Sequence, residues 1–295
     1  MTGFANLLGN KQAVIGMIMI GVVVFCALFA PWLAPNDPQK IDLSKSLIKS
    51  SWEFPLGTDP LGRCVLSRLL FGARYSLFLA GVVLFLTCFI SVVLGTLSAY
   101  YGGVVDRVIT ALCDVFMAFP PLVFILAFVG ALGPGMVNLI ASMVLAMWVW
   151  YVRIVRGQAL AEKNKNYIVL AKVAGLSDFR IIVKHLLPNI MPALIVFYSL
   201  GVGEMIFMIS GFSFLGLGVE AGLPEWGSML NEAKRSIYTQ PYFMFFPGLC
   251  ILFTVCGFNL FGEALRDILS PEEAREGKRI EKRGVEGKKF MCWFK

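Results

Sequence analysis

Histidine occurs once in this chain, at His185, and none of its seven cysteines falls in a Cys-x-x-Cys spacing. Neither a zinc site nor a disulfide framework has support, and the cysteines in apolar runs read as small hydrophobes. Charged residues are scarce, 15% of 295 against about 25% in a soluble domain. With 58% hydrophobic residues, a single soluble domain is excluded. The chain also lacks G-x-x-x-x-G-K-[ST], so it has no loop to cradle nucleotide phosphates. It shows no nucleophile–base or metal-ligand constellation and no internal repeat of the secondary-transporter kind.

What is present is apolar length. Six runs are long enough for the ~20 helical residues that cross a hydrocarbon core of about 30 Å. They cover 13–33, 76–100, 108–132, 136–152, 189–211 and 242–262. Asp114 and Pro120-Pro121 interrupt the third, which predicts a kink or a part lying at the interface. The first run is longer than a signal-peptide core and only Lys11 precedes it as a positive charge, so it reads as an uncleaved helix. With the N-terminus inside, 18 Lys and Arg lie in inner segments and 8 in outer ones. The net charge of +7 therefore follows the positive-inside rule, with both termini cytoplasmic, and does not point to nucleic acid.

Between the runs lie an outer segment at 35–75, a short inner turn on Gly102-Gly103, and a tight outer turn at Gly133-Pro134-Gly135. A second outer segment covers 212–241, and the charged, glycine-containing tail after Pro271 predicts no fixed structure. The inner loop at 158–188 contains "LAKVAGLSDFRIIVKHLLP", too charged for hydrocarbon yet carrying apolar Leu170, Val173, Ile181, Ile182, Leu186 and Leu187. Gly175 suits the left-handed residue after a helix end, and Ser177 or Asp178 can cap the next helix. The loop reads as a helix–turn–helix finger. Its apolar stripe either meets another protein or packs under its own bundle.

"YIVLAKVAGLSDFRIIVKHLLPNIMP" resembles the coupling loop of ABC-importer permeases, with Gly175 and Pro188 at that motif's Gly and Pro and Ala171 at its last alanine. Val169 and Leu170 stand where the motif has Glu and Ala, and His185 where an apolar residue is usual. "PLGTDPLGRCVLSRLLFGARYSL" and "SGFSFLGLGVEAGLPEWGSMLNEA" resemble outer segments of the C-type subunit in the dipeptide, oligopeptide and nickel permease family, with Cys64 replacing an Asp. The resemblance implies an all-α integral membrane protein with the type I ABC-importer permease fold: six transmembrane helices and a cytoplasmic coupling helix pair. It divides the chain into an N-terminal helix with its outer segment (1–75), a permease core (76–270) and a tail (271–295). It implies a prokaryotic plasma (inner) membrane, a second homologous permease, two ATPase chains that use ATP and Mg, and an extracytoplasmic solute-binding protein. The chain itself would be no enzyme and would bind no cofactor; its surroundings would be membrane lipid. The residues implied in ATPase contact are Tyr167, Leu170, Ala171, Ala174, Gly175, Leu176, Arg180 and Pro188.

Glu204 is the one carboxylate clearly inside an apolar run, about 22 Å along the fifth at ~1.5 Å per residue. Such a group is costly and marks a candidate translocation path, with Met205 beside it and Met208 on its face at i+4. It either meets a metal chelate or peptide amine, or makes a structural hydrogen bond, and the methionines equally suit packing. Glu220, Glu225, Trp226 and Glu232 either face a binding protein and incoming solute or form a wet rim. "AMWVWYVRIVRG" and "NEAKRSIYTQPYFMFFPG" resemble nickel-type members, so the expected cargo is nickel or a metal–chelate; a di- or oligopeptide importer is the alternative. A reading of another class is an ion-driven secondary transporter, for which Glu204 is the sole support.

Overall fold

A computed structural model describes residues 7, 9–220, 222–238 and 240–269; the expected tail at 271–295 lies outside the described residues. The first helix, α1 (Lys11–Leu33), starts where Asn10 Oδ1 accepts the Gln12 amide at 2.9 Å. Helix α2 (Val65–Tyr101) follows the first outer segment. Its 37 residues extend ~56 Å, well beyond a ~30 Å core, so its first turns project past the apolar run that begins at 76.

The expected inner turn is shorter than its sequence suggests. Gly102 and Gly103 reverse the chain at φ +67° and +56°, and helix α3 (Gly103–Met117) begins within this pair. The third span is broken: α3 and α4 (Pro121–Leu132) meet at an 81° bend. Pro120 and Pro121 account for the break, since a residue before proline is pushed out of the helical region and Pro121 starts the new helix cheaply. Helix α5 (Met136–Lys163) follows the glycine-rich turn, where Asn138 Nδ2 donates to the carbonyls of Leu132 and Gly133, each at 3.0 Å.

The finger is built from α6 (Asn166–Val173) and α7 (Asp178–Ile181). Its second arm does not stop at Pro188. One π turn (Ile182–Leu186) carries α7 directly into α8 (Leu187–Phe214), so Asp178–Phe214 is a continuous helical rod. Proline in the first turn of α8 removes only an N–H, which the wider π turn tolerates. Helix α9 (Trp226–Ala233) lies in the second outer segment, and α10 (Tyr242–Leu269) ends the described chain. Among the described residues, five helices are long and apolar enough to cross a membrane, or six where the bent α3–α4 pair is counted as one broken span.

The main core gathers Leu79 and Val83 of α2, Met143 of α5, Met205 and Ile206 of α8 and Trp226 of α9. Helices α1 and α10 approach closely at Gly16, where a Cβ would lie 2.7 Å from the Phe261 amide nitrogen. At the finger end of the bundle, polar ties add to a second apolar cluster. Asp106 accepts from Arg156 at 2.6 and 2.7 Å and from Ser98 at 2.5 Å, while Lys163 Nζ reaches the Ala99 carbonyl at 2.6 Å. These ties join the end of α2, the start of α3 and the end of α5.

At the opposite end the two outer segments form a cap. Asp59 and Glu232 hold Arg63 and Arg68 in a four-charge cluster, with contacts of 2.5–2.7 Å. Both arginines are essentially fully buried, so the carboxylates must offset a large desolvation cost. Trp226 lies against Gly72, where a Cβ would be 2.6 Å from its ring, and its Nε1 donates to the Leu69 carbonyl at 3.0 Å.

Candidate functional site

Two features stand out along the helical rod 178–214. The first is an open groove of about 1110 Å³ against α8, floored by α5 and α10 and reaching the α3–α4 break at Pro120 and Pro121. Its lining is apolar, with Trp150 and Phe207 prominent. Among the described residues that line it, Glu204 is the only charged one; Tyr151, Asn259 and Met208 add oxygen, nitrogen and sulfur atoms. Glu204 is exposed to the groove and has no hydrogen bond or ion pair inside the described chain. A structural hydrogen bond, one of its two expected roles, is therefore not made among the described residues.

Met205 points the other way. It is completely buried in the main core beside Ile206, because neighbouring residues on a helix lie about 100° apart. Of the three expected path residues, the groove therefore brings together Glu204 and Met208 only. The groove can contact a cargo of mixed character: thioether, aromatic faces and a single carboxylate. No group of three His, Cys, Asp or Glu suited to a metal ion occurs among the described residues.

The second feature is the finger. Gly175 takes φ +76°, and its amide donates to the Lys172 carbonyl at 3.0 Å while the Leu176 amide reaches the Ala171 carbonyl at 3.2 Å. These two bonds form a Schellman stop, which requires the left-handed residue that glycine adopts at low cost. Ser177 occupies the next cap position without a side-chain cap bond. Asp178 does not cap either; it accepts a hydrogen bond from Tyr100 Oη at 2.7 Å.

The apolar stripe of the finger divides into two faces. Ile168, Ala171, Ile181 and Leu186 are buried against Val155 and Ala159 of α5 and Ile190 and Leu194 of α8. Leu170, Val173 and Phe179 instead stand 66%, 81% and 76% exposed. The stripe thus packs under its own bundle with one set of residues and leaves another set exposed. Among the residues implied in ATPase contact, Leu170, Ala174, Gly175, Arg180 and Pro188 are exposed, Tyr167 and Leu176 are half-buried, and Ala171 is buried. Tyr167 is further tied by its hydroxyl to Glu162. Phe179 was missed by the sequence reading, although it sits within the quoted loop and has no apolar neighbour in sequence to its left.

The expected outward-facing residues need correction. Glu225 is fully buried and Trp226 is 2% exposed, so neither can face a solute or a partner. Glu225 caps α9 instead, accepting the Gly227 and Ser228 amides at 2.8 Å each, with Ser76 nearby at 3.3 Å. Burial pushes its carboxyl above the ordinary range, and the amide hydrogen bonds oppose that rise. Glu232 belongs to the four-charge cluster, and only Glu220 is freely exposed. The sequence did carry a signal for Glu225: acidic residues are favoured near the start of a helix, where the free amides and the helix dipole attract a carboxylate.

Residues 91–275 match the family described as binding-protein-dependent transport system inner membrane component, and residues 4–49 match the N-terminal transmembrane domain of oligopeptide transport permease C. The nickel transport system permease protein NikC of Escherichia coli K12 is 38% identical, over 89% of this chain and 95% of its own length. The metal-staphylopine import system permease protein CntC of Staphylococcus aureus NCTC 8325 is 40% identical, over 95% and 97%. The dipeptide transport system permease protein DppC of Haemophilus influenzae is 36% identical, over 89% and 91%. Among solved structures, the inward-facing MetNI methionine ABC transporter aligns at a TM-score of 0.56 and 16% identity, covering 69% of this chain and 97% of that one, which speaks to the fold alone. The type I permease fold and the permease class expected from the sequence follow from these matches, and the ion-driven class is set aside.

Proposed function

Because the chain belongs to the family of binding-protein-dependent transport system inner membrane components, we propose that it forms one half of the cargo path of an ATP-driven importer. The observation that carries this reading is that one helical rod begins as the second arm of the finger and lines the groove along its later half. A second, homologous permease covers the open side of the groove. Two ATPase chains, using ATP and Mg, receive the exposed face of the finger at Leu170, Val173 and Phe179. A solute-binding protein delivers cargo to the cap. The finger and both termini face the cytoplasm of a prokaryotic cell, as the distribution of Lys and Arg favours.

The cargo is a metal held in an organic chelator. A divalent ion binds through several oxygen, nitrogen or sulfur ligands at once, and the groove offers a single carboxylate, Glu204, with Met208. A chelate arrives with its ligands in place and presents the organic surface that an aromatic, apolar groove accommodates. The 40% identity to a metal-staphylopine permease supports this reading. Di- or oligopeptide cargo is the second reading, favoured by the dipeptide relative and by the ability of Glu204 to meet a peptide amine.

The test is uptake by the complete importer in proteoliposomes with ATP inside, offered radiolabelled nickel alone, nickel with a chelator, and a labelled dipeptide. ATP-dependent uptake of the nickel–chelator complex is expected. Dipeptide uptake without metal uptake would replace the cargo reading by its alternative, and uptake without ATP would remove the importer reading itself.

A further inference from the structure

Tyr100 is the penultimate residue of α2 and is 6% exposed. Its hydroxyl donates to Asp178 Oδ1 at 2.7 Å, and Lys172 Nζ stands 4.6 Å from the centroid of its ring. Lys172 lies in the last turn of the first finger arm, and Asp178 opens the second. One side chain from a membrane-spanning helix therefore grips both arms, from either side of the Gly175 turn.

The other contacts between finger and bundle are of a different kind. Ile168, Ala171, Ile181 and Leu186 form an apolar seam, and apolar contacts have no preferred direction, so such a seam can slide. A hydroxyl–carboxylate hydrogen bond and a cation over a ring are directional and fix a register. The end of α2 is itself anchored, through the Lys163 bond to the Ala99 carbonyl and the Ser98–Asp106–Arg156 ties. A displacement of the finger that keeps the Tyr100 clamp closed must carry α2 and α5 with it. With the clamp open, the finger, continuous with α8, can tilt without α2.

We infer that Tyr100 is a positioning residue for transport, clamping both arms of the finger to the end of α2 so that finger motion moves the bundle. The inference rests on the reading that the finger docks an ATPase. It goes beyond the docking loop itself, because Tyr100 is 78 residues from Asp178 and lies on a different element.

The test is Tyr100→Phe in the complete importer. Phenylalanine keeps the ring, and with it the packing and the Lys172 contact, and removes only the hydroxyl. Solute moved per ATP hydrolysed should fall about tenfold, the effect of losing a hydrogen bond to a charged group. ATPase binding and chain abundance should stay at wild-type levels. Asp178→Ala should reproduce the defect, and the double variant should be no worse than either single one. An unchanged ratio of solute to ATP in Tyr100→Phe overturns the inference. So does a parallel loss of uptake and hydrolysis with weaker ATPase binding, which is the signature of a structural role alone. A second measurement does not depend on ATP turnover: spin labels at Val183 and Val104, both exposed and outside the docking face, in membranes holding the full importer without nucleotide. Their distance distribution should broaden in Tyr100→Phe, and an unaltered distribution contradicts the clamp. Failure of wild-type ATPase binding beside a broadened distribution would sink the docking reading and leave the clamp standing.

Discussion

The cap end and the finger end of the α8 rod are held by opposite means. At the cap, backbone meets backbone. A Cβ on Gly227 would lie 2.4 Å from the Ser210 carbonyl oxygen, Trp226 is wedged onto Gly72, and two buried arginines are locked between Asp59 and Glu232. At the finger, a Cβ on Gly175 would meet nothing within 4 Å, and Phe179 and Val173 face outward. The difference separates two jobs of one helix. A rod must be fixed at one end if a push at the other is to reorient its middle, where Glu204 and Met208 line the groove. Substitutions at the cap should thus act on stability, and substitutions at the finger on coupling.

The largest expected effect is at the four-charge cluster. Arg68→Leu leaves Asp59 and Glu232 to share Arg63, and breaking such a buried set should cost about 3 kcal/mol, toward the low end because Glu232 is partly open. Membrane abundance of the chain, measured by immunoblot, should drop sharply. Abundance and uptake at wild-type levels would mean that the cap is not the rigid end. Next is Gly227→Val, which forces side-chain atoms into the Ser210 backbone and should cost about 1–3 kcal/mol by overpacking. Its thermal denaturation midpoint in detergent should fall, with solute per ATP unchanged in the molecules that remain folded. A changed ratio would show that the cap also takes part in coupling.

The smallest effect on stability belongs to the middle of the rod. Glu204→Gln removes a charge that has no partner inside the described chain, so stability should shift by less than about 0.5 kcal/mol. Uptake of a cargo with a positive face should nonetheless fall several-fold in the proteoliposome assay. Uptake at the wild-type rate would remove Glu204 from the path.

Much of this comparison was legible in the sequence, and the reasons for the rest are physical. Five spans could be read from apolar length, and Pro120-Pro121 announced the break in the other. Gly175 announced the finger turn, since a left-handed stop has a local signature. The early start of α2 was hidden because Arg68 and Arg74 interrupt the apolar run, and Arg68 becomes acceptable through Asp59 and Glu232, the latter 164 residues away. The same holds for Tyr100 and Asp178: a clamp between distant residues leaves no spacing to read. Glu225 and Trp226 were placed outward because an acidic residue and a tryptophan in an outer segment suggest a wet rim. Both are buried because the cap folds back on α2, where Ser76 and Gly72 receive them.

The separation of the two ends is tested most directly by solute transported per ATP hydrolysed in the complete importer carrying Gly175→Val. Valine at φ +76° meets no neighbour, so its cost is the backbone strain of a left-handed residue, about 1–2 kcal/mol, which changes the angle between the arms of the finger. The account predicts wild-type abundance in the membrane, weak or uncoupled ATP hydrolysis, and a collapse of solute moved per ATP. A wild-type ratio with normal ATP consumption would contradict it and remove Gly175 as the pivot between finger and rod.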